Sequence, residues 1–170
     1  MNIMRTAVLV SSLAVAGCAG TEEKIVVNAT TQDHKCLAEA IYYEAGNEPT
    51  AGRHAVAHVV VNRSKSGKFP KSICEVVYQR NIRGRCQFSW ACHKNRPPKG
   101  IAWEEAQQIA TFVMKGKSLD TSNGALFFKR HKDKTGWNTV TYKKTAEIGG
   151  HSFWGPGQQK LADNRRGELK

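Results

Sequence analysis

The chain has 170 residues, enough for one compact domain with a short leader but not for several domains. Its 26 Lys and Arg residues outnumber 14 Asp and Glu residues, for a formal net charge of +12, and 40% of the residues are apolar. The composition excludes a disordered polycation and favours a polyanionic partner, such as nucleic acid, anionic lipid or a charged cell wall.

Residues 1–17 are interpreted as a signal peptide. A single Arg precedes an apolar run that is too short, and too interrupted by Ser and Gly, to span a bilayer comfortably. The run ends in Val15-Ala16-Gly17-Cys18, which resembles the lipobox of bacterial lipoproteins, with an ordinary secretory signal as the alternative. We predict lipidation of Cys18 and attachment to a membrane. Ala19 gives no inner-membrane retention signal, which favours the outer membrane, facing the periplasm.

Four cysteines follow Cys18, and in an oxidising compartment an even number suggests two disulfides. Three pairings can be drawn. Cys86 and Cys92 are close enough in sequence to close a tight local loop, which leaves Cys36 to pair with Cys74. A zinc site is the alternative, but no Cys-x-x-Cys spacing supports it. Export also makes nucleic acid an improbable partner, so we expect the cell envelope instead.

The beginning of the domain is predicted from a change in pattern. Residues 18–32 are polar and read as a tether. A helix is expected over 33–45, with Asp33 as its N-cap and an apolar stripe at helical spacing, and Gly46 ends it.

The second helix is expected over about 51–64, with Thr50 as its cap. Its apolar residues are nearly continuous, which predicts the buried centre of the domain. Asn62 and Arg63 lie at its end; we favour a structural role for them, with substrate contact as the alternative.

Ser72 to Glu75 has the pattern of a capping box and predicts a third, short helix. Residues 80–100 look irregular, and a fourth helix is expected over 102–115. The irregular stretch is strongly basic, which suits either an anionic wall or an ordinary solvated loop; its cations are Arg80, Arg83, Arg85, Lys94, Arg96 and Lys99.

Beyond the fourth helix the pattern changes to strands. Strands are predicted over 125–128, 139–142 and 149–154, and residues 155–170 form a polar tail. The expected architecture is therefore α+β in a single domain over 33–154, with helices first and a small antiparallel sheet toward the C-terminus.

Glu44 is the strongest candidate for chemistry in the chain. It lies at the C-terminal end of the first predicted helix, beside Tyr42 and Tyr43. The negative end of the helix dipole and burial against aromatic rings both raise a carboxyl pKa. A carboxyl that stays protonated near neutral pH can act as a general acid; a solvated Glu at a helix end is the alternative.

A resemblance to a known family extends over most of the predicted domain. The run from Cys36 to Pro49 resembles the opening motif of the SleB/CwlJ family of cell wall hydrolases, the spore cortex-lytic type. Further segments follow in the family's order: Gly52, the Ala55 to Arg63 run, Phe69-Pro70, Ile73 to Gln79, Cys86-Gln87-Phe88-Ser89-Trp90-x-Cys92 and Ile148 to Phe153.

The resemblance implies a lysozyme-like domain that cleaves the MurNAc–GlcNAc strand of peptidoglycan, with Glu44 as the catalytic acid/base and no cofactor or metal. Related enzymes are lytic transglycosylases, in which the C6 hydroxyl of the sugar attacks and one carboxyl suffices; an ordinary glycosidase needs two. Glu48 is the nearest second carboxylate in sequence, and it is expected either to orient substrate or to cap the next helix.

A substrate groove is predicted around Glu44. Aromatic faces stack on sugar rings, and Gln and Ser side chains bind acetamido and hydroxyl groups. For the two aromatics of the Gln87–Trp90 segment, a place in the core is the alternative. The predicted substrate-binding residues are Tyr43, Glu48, Gln87, Phe88, Ser89 and Trp90.

The sequence also departs from the family pattern. The segment that often carries two His residues reads Phe127-Phe128-Lys129, so their role is lost or passes to His131. His54 and His58, one helical turn apart, suit a zinc amidase cutting the peptide stem, although no general-base Glu lies between them. A non-catalytic wall-binding lipoprotein is the third hypothesis. We expect a monomer that binds peptidoglycan and no nucleic acid.

Overall fold

The structure, a computed structural model, describes residues 31–93, 96–133 and 142–156. In this part of the chain the helices come first and an antiparallel sheet of order β1-β3-β2 follows. No helix among these residues is both long and apolar enough to cross a bilayer. The elements are α1 (Thr31–Ala45), α2 (Thr50–Lys65), α3 (Ile73–Val77), a 3₁₀ turn (Ser89–Cys92), α4 (Ile101–Met114), β1 (Phe127–Arg130), β2 (Lys143–Ile148) and β3 (His151–Gly155).

Helix α2 is the buried centre of the domain, as its apolar sequence predicted. Val56 and Val59 pack with Phe153 of β3 in one apolar cluster. Val60 packs with Leu37 and Ile41 of α1 in the other. Burying such a side chain contributes about 1.5–3 kcal/mol. Helix α2 therefore joins the helical part to the sheet and fixes the end of α1 beside the strands.

Two disulfides and a capping box hold the helical part together. The bonds join Cys36 to Cys74 and Cys86 to Cys92, the pairing favoured from the sequence. At the start of α3, the Glu75 backbone N–H donates to Ser72 Oγ at 3.0 Å, and the Ser72 N–H donates to Glu75 Oε2 at 3.4 Å. The predicted capping box is thus confirmed.

The starts of the first two helices differ from the prediction. Helix α1 begins at Thr31, so the tether ends before residue 32 and Asp33 is not the N-cap. Asp33 is buried, and its Oδ1 accepts a hydrogen bond from the Cys74 N–H at 2.9 Å, which stabilises the start of α3 instead. Thr50 is the first residue of α2, and Pro49 occupies the N-cap position without a side-chain hydrogen bond.

The strands lie later in the chain than predicted. The carbonyls of Ala125 and Leu126 accept hydrogen bonds from Asn62 Nδ2 at 3.2 Å and Arg63 Nε at 2.7 Å, so these residues pack on α2 and the first strand starts at Phe127. This supports the structural role favoured for the Asn–Arg pair. The second strand occupies residues 143–148; most of its predicted span, 139–141, lies outside the described residues. The third strand starts at 151, after a Gly-Gly turn.

Candidate active site

Glu44 lies in the last turn of α1, half-buried, where the fold brings the helix end against the sheet. The last turn of α1 carries no basic residue to offset the negative end of the helix dipole. Burial raises the pKa of the Glu44 carboxyl, and this effect outweighs the hydrogen bond from Trp90 and the charges of Arg130 and Arg63, which lower it. The direction of the shift favours a proton-donating carboxyl.

The charges that act on Glu44 are both positive. Arg63 approaches from α2 and Arg130 from β1, and no acidic side chain among the described residues contributes to the pKa shift of Glu44. Arg130 is exposed, and nothing in the sequence around it indicated this role, because the role depends on the tertiary structure. Among the described residues, the charges that act on the pKa of Glu44 are therefore two cations.

Arg63 is a buried cation fixed beneath the site. Its guanidinium carbon lies 5.1 Å from the ring centroid of Phe69, 5.4 Å from that of Phe88 and 5.5 Å from that of Phe127. Burial lowers the pKa of Arg63 to about 10, against the opposing effect of Glu44. Arg63 thus keeps its charge at neutral pH and stabilises the ionised form of Glu44.

The predicted aromatic residues divide between the groove and the core. The ring of Tyr43 stacks on that of Trp90, with centroids 4.6 Å apart, and the Tyr43 hydroxyl donates to the Arg96 carbonyl at 2.7 Å. Phe88 is buried between Trp90 and Arg63, which favours the alternative that it belongs to the core. Trp90 is also mostly buried, but its indole lowers the pKa of the Glu44 carboxyl.

A depression of about 470 Å³ opens beside the Tyr43–Trp90 pair. One wall is a face of α1 on which Lys35, Glu39 and Tyr43 follow each other at helical spacing. The Tyr78 hydroxyl donates to Glu39 Oε2 at 2.6 Å across it. Aromatic walls with a few polar groups suit a saccharide. The remaining lining residues are Tyr78, Trp90, Ala91, His93, Pro97, Pro98 and Trp103.

Gln87 and Ser89 have exposed side chains on either side of buried Phe88. The backbone there is fixed, since the Gln87 N–H donates to the Gln79 carbonyl at 2.8 Å and the Cys86–Cys92 disulfide closes the loop. Both side chains are exposed, and substrate binding by them stays a prediction.

Glu48 supports the sheet and does not cap α2, whose N-cap is Pro49 without a side-chain hydrogen bond. Its Oε2 accepts a hydrogen bond from the Gly150 N–H at 2.7 Å, and its Oε1 lies 3.4 Å from His151 Nδ1. Gly149 adopts a φ of 58°, a left-handed conformation that favours glycine, and a Cβ atom there would lie 2.2 Å from Glu48 Oε2. Both carboxylate oxygens contact the β2–β3 turn and the start of β3, which favours a structural role; substrate binding by Glu48 stays a prediction.

The histidines considered from the sequence are engaged in structural contacts. His54 Nδ1 and His58 Nε2 lie 2.7 and 3.0 Å from Ser118 Oγ. Within the described ranges, no group of three or more His, Cys, Asp or Glu side chains is arranged to hold a metal ion. His131 Nδ1 lies 2.9 Å from Ser152 Oγ and its Nε2 lies 3.0 Å from the Gly149 carbonyl oxygen, so this imidazole also belongs to the sheet.

Comparison with known sequences gives one family. The family model described as Cell Wall Hydrolase matches residues 47–154, a range that begins just after Glu44. The spore cortex-lytic enzyme of Bacillus subtilis (strain 168) is 40% identical over 50 residues, 29% of this chain and 16% of that protein. The corresponding enzyme of Halalkalibacterium halodurans is 40% identical over 47 residues, 28% of this chain and 14% of its own length. The matched segments thus span about a sixth of these relatives.

Solved structures share the fold. The catalytic domain of the Bacillus cereus SleB protein superposes with a TM-score of 0.58 at 26% identity, covering 73% of this chain and 90% of that chain. The catalytic domain of a germination-specific lytic transglycosylase, SleB from Bacillus anthracis, gives a TM-score of 0.54 at 24% identity, covering 73% and 94%. The second likeness concerns the fold alone. The predicted class, helices followed by a small antiparallel sheet, is confirmed.

Proposed function

Since the chain belongs to the cell wall hydrolase family, we propose that it cleaves the glycan strands of peptidoglycan as a lytic transglycosylase, with Glu44 as the single acid/base. The Glu44 carboxyl protonates the oxygen that links MurNAc to GlcNAc, and the GlcNAc leaves with that proton on its hydroxyl. The C6 hydroxyl of the MurNAc attacks the anomeric carbon and passes its proton to Glu44. An anhydro sugar forms, and the acid is regenerated.

The observation that carries this proposal is the charge environment of Glu44. A retaining glycosidase has its second carboxyl about 5–5.5 Å away and an inverting one about 6.5–9.5 Å away. A carboxylate at either distance would raise the pKa of Glu44 by repulsion, yet the only charges among the described residues that act on it are Arg63 and Arg130. Glu48 is engaged by the Gly150 N–H. An internal nucleophile fits a site with one carboxyl.

The surroundings of Glu44 suit a polysaccharide substrate. We propose that the depression beside Tyr43 and Trp90 receives a sugar of the strand, and that Gln87 and Ser89 bind its acetamido and hydroxyl groups. The net charge of +12 attracts a wall rich in carboxylates. The monomeric state expected from the sequence is part of this proposal, since one chain supplies every residue named.

The predicted organisation of the whole chain is retained as a proposal. Residues 1–17 direct export, Cys18 carries the lipid anchor, and a tether ending before Thr31 leads to the domain. The domain extends to residue 154, and the polar tail follows. An anchor in the outer membrane would place the site at the periplasmic face of the wall.

Replacement of Trp90 by Phe is expected to shift the alkaline limb of the pH–activity profile to higher pH. The acid works while protonated, so activity falls as pH rises through the pKa of Glu44. The indole N–H lowers that pKa, and its removal raises it further while the ring stack is kept. Initial rates of glycan solubilisation across a pH series give the position of the alkaline limb.

Trp103→Phe is the matched control, because Trp103 lines the same depression without acting on the pKa of Glu44. Its alkaline limb should coincide with that of the parent. If the limb stays in place in Trp90→Phe, or moves equally in both variants, Glu44 does not set it.

Mass spectrometry of the products released from purified sacculi tests the function itself. We expect soluble disaccharide peptides with intact stem linkages. Free stem peptides with new amino groups, sensitive to a chelator, would replace this proposal with an amidase. Wall pelleting without any soluble product would replace it with a binding lipoprotein.

A further inference from the structure

A short hairpin outside the candidate active site carries a cluster of exposed side chains that the cleavage mechanism does not use. Residues 80–86 turn back on themselves, with Arg80 bridged to Cys86 in antiparallel fashion. The Asn81 N–H donates to the Arg85 carbonyl and the Gly84 N–H to the Asn81 carbonyl, both at 2.9 Å. We refer to this segment as the 80–86 hairpin.

The backbone of the 80–86 hairpin is held in one conformation. Asn81 Oδ1 accepts hydrogen bonds from the N–H groups of Arg83 and Arg85 at 2.9 and 3.0 Å. Gly84 adopts a φ of 74°, which favours glycine. The Cys86–Cys92 disulfide ties the base of the hairpin to the 3₁₀ turn. A surface that is already ordered loses little conformational entropy when it binds a partner.

The exposed side chains are of two kinds. Ile82 at the tip is completely exposed, with a relative accessibility of 103%, so it contributes nothing to the core. Arg80, Arg83 and Arg85 are exposed around it. In the described part of the chain, the salt bridges involve other cations and none of these three. An apolar tip thus stands among three guanidinium groups.

We propose that the 80–86 hairpin docks on an anionic phospholipid surface, with Ile82 at the boundary of the acyl chains and the three arginines on lipid phosphates. A lipid surface offers an apolar layer beneath a negatively charged one, which matches both kinds of side chain. A soluble or wall-bound polyanion would engage the arginines but would leave Ile82 in water. The exposed isoleucine therefore favours a lipid surface over a soluble or wall-bound polyanion.

Docking would also place the candidate active site relative to the membrane. The disulfide connects the hairpin to the turn that carries Trp90, whose indole lowers the pKa of Glu44. A docked hairpin keeps that turn close to the lipid surface. The proposal does not depend on which bond the site cleaves.

The test uses a local fluorescence readout in the full chain. In a Cys18→Ser background, Ile82→Cys is labelled with an environment-sensitive bimane and mixed with phosphatidylglycerol/phosphatidylcholine vesicles or with phosphatidylcholine alone. We expect a blue shift with the anionic vesicles only. Leu119→Cys, labelled in the same way, is the matched control: Leu119 is 88% exposed but lies outside the hairpin, and it should show no shift.

The charge requirement is tested in the same labelled background. Replacing Arg80, Arg83 and Arg85 with Gln should raise the lipid concentration for half-maximal shift by about 100-fold, at about fivefold for each arginine. The control replaces three exposed lysines elsewhere, Lys65, Lys68 and Lys71, with Gln and should change it by less than about fivefold.

Three results would overturn the proposal. The first is equal emission in anionic and neutral vesicles. The second is an equal loss in the arginine and lysine variants. The third is the absence of a shift with vesicles while arginine-dependent binding to soluble polyphosphate persists, which would identify the hairpin as a polyanion site. Unchanged thermal unfolding in all variants confirms that the fold is intact.

Discussion

Glu44→Gln is expected to lower the rate of glycan solubilisation by about 10³-fold, within the range found for loss of a general acid. The amide keeps the size and shape of the side chain but cannot donate a proton to the glycosidic oxygen. In the proposed mechanism the same group later accepts the proton of the attacking hydroxyl, so both halves of the reaction are impaired. Release of soluble muropeptides from sacculi measures the effect.

The stability of the same variant separates a catalytic role from a structural one. Folding raises the pKa of Glu44, so the folded state disfavours the ionised carboxylate. Ionisation of Glu44 therefore lowers the free energy of unfolding, and this effect is fully present once the pH exceeds the raised pKa. A neutral amide removes that penalty. We therefore expect Glu44→Gln to unfold at the same temperature as the parent, or higher, near neutral pH.

Glu104→Gln is the matched control for the charge change. Glu104 is an exposed residue in the first turn of α4, and its replacement should leave the cleavage rate within about twofold of the parent. A Glu44→Gln variant that remains active, or that loses activity only because it unfolds, would show that Glu44 is not the acid.

Removal of the Cys36–Cys74 disulfide, in a Cys36→Ala/Cys74→Ala variant, is expected to lower the free energy of unfolding by about 4 kcal/mol. The bond closes a loop with a sequence separation of 38, and the chain-entropy model gives about this value for a loop of that size. It also fixes α1, which carries Glu44, to α3. Urea unfolding of the purified variant measures the change.

The second disulfide supplies the comparison. Cys86 and Cys92 have a sequence separation of only 6, so Cys86→Ala/Cys92→Ala should lose about 2 kcal/mol. The cleavage rate of this variant should fall more than its loss of stability suggests, because the loop closed by the disulfide carries Trp90. The loop-length explanation is wrong if the short-loop variant is the less stable of the two.

The features predicted well from the sequence are those encoded locally. The capping box at Ser72 and Glu75, the apolar run of α2 and the Cys86–Cys92 pair depend on residue type and spacing within short segments. The Cys36–Cys74 pair was then the one that remained. Glu44 belongs to this group too, since its place at a helix end beside tyrosines is visible in the sequence.

The features that were missed depend on long-range packing. Glu48 meets Gly150 across 102 positions, and no local pattern indicates this contact. Arg130, on β1, acts on the pKa of Glu44, on α1, although the two residues are far apart in the sequence. Phe88 stands between two exposed residues in the sequence, but its ring is buried in an apolar cluster and lies 5.4 Å from the guanidinium carbon of Arg63.

The most direct test of the single-carboxyl mechanism is the fate of water during cleavage. Sacculi are digested with the purified protein in heavy-oxygen water, and the new sugar ends are analysed by mass spectrometry. The mechanism predicts anhydro-muramyl ends, lighter by one water than a reducing end and free of the heavy isotope. Reducing ends that carry heavy oxygen would mean that water is the nucleophile, and a second catalytic group would then be required.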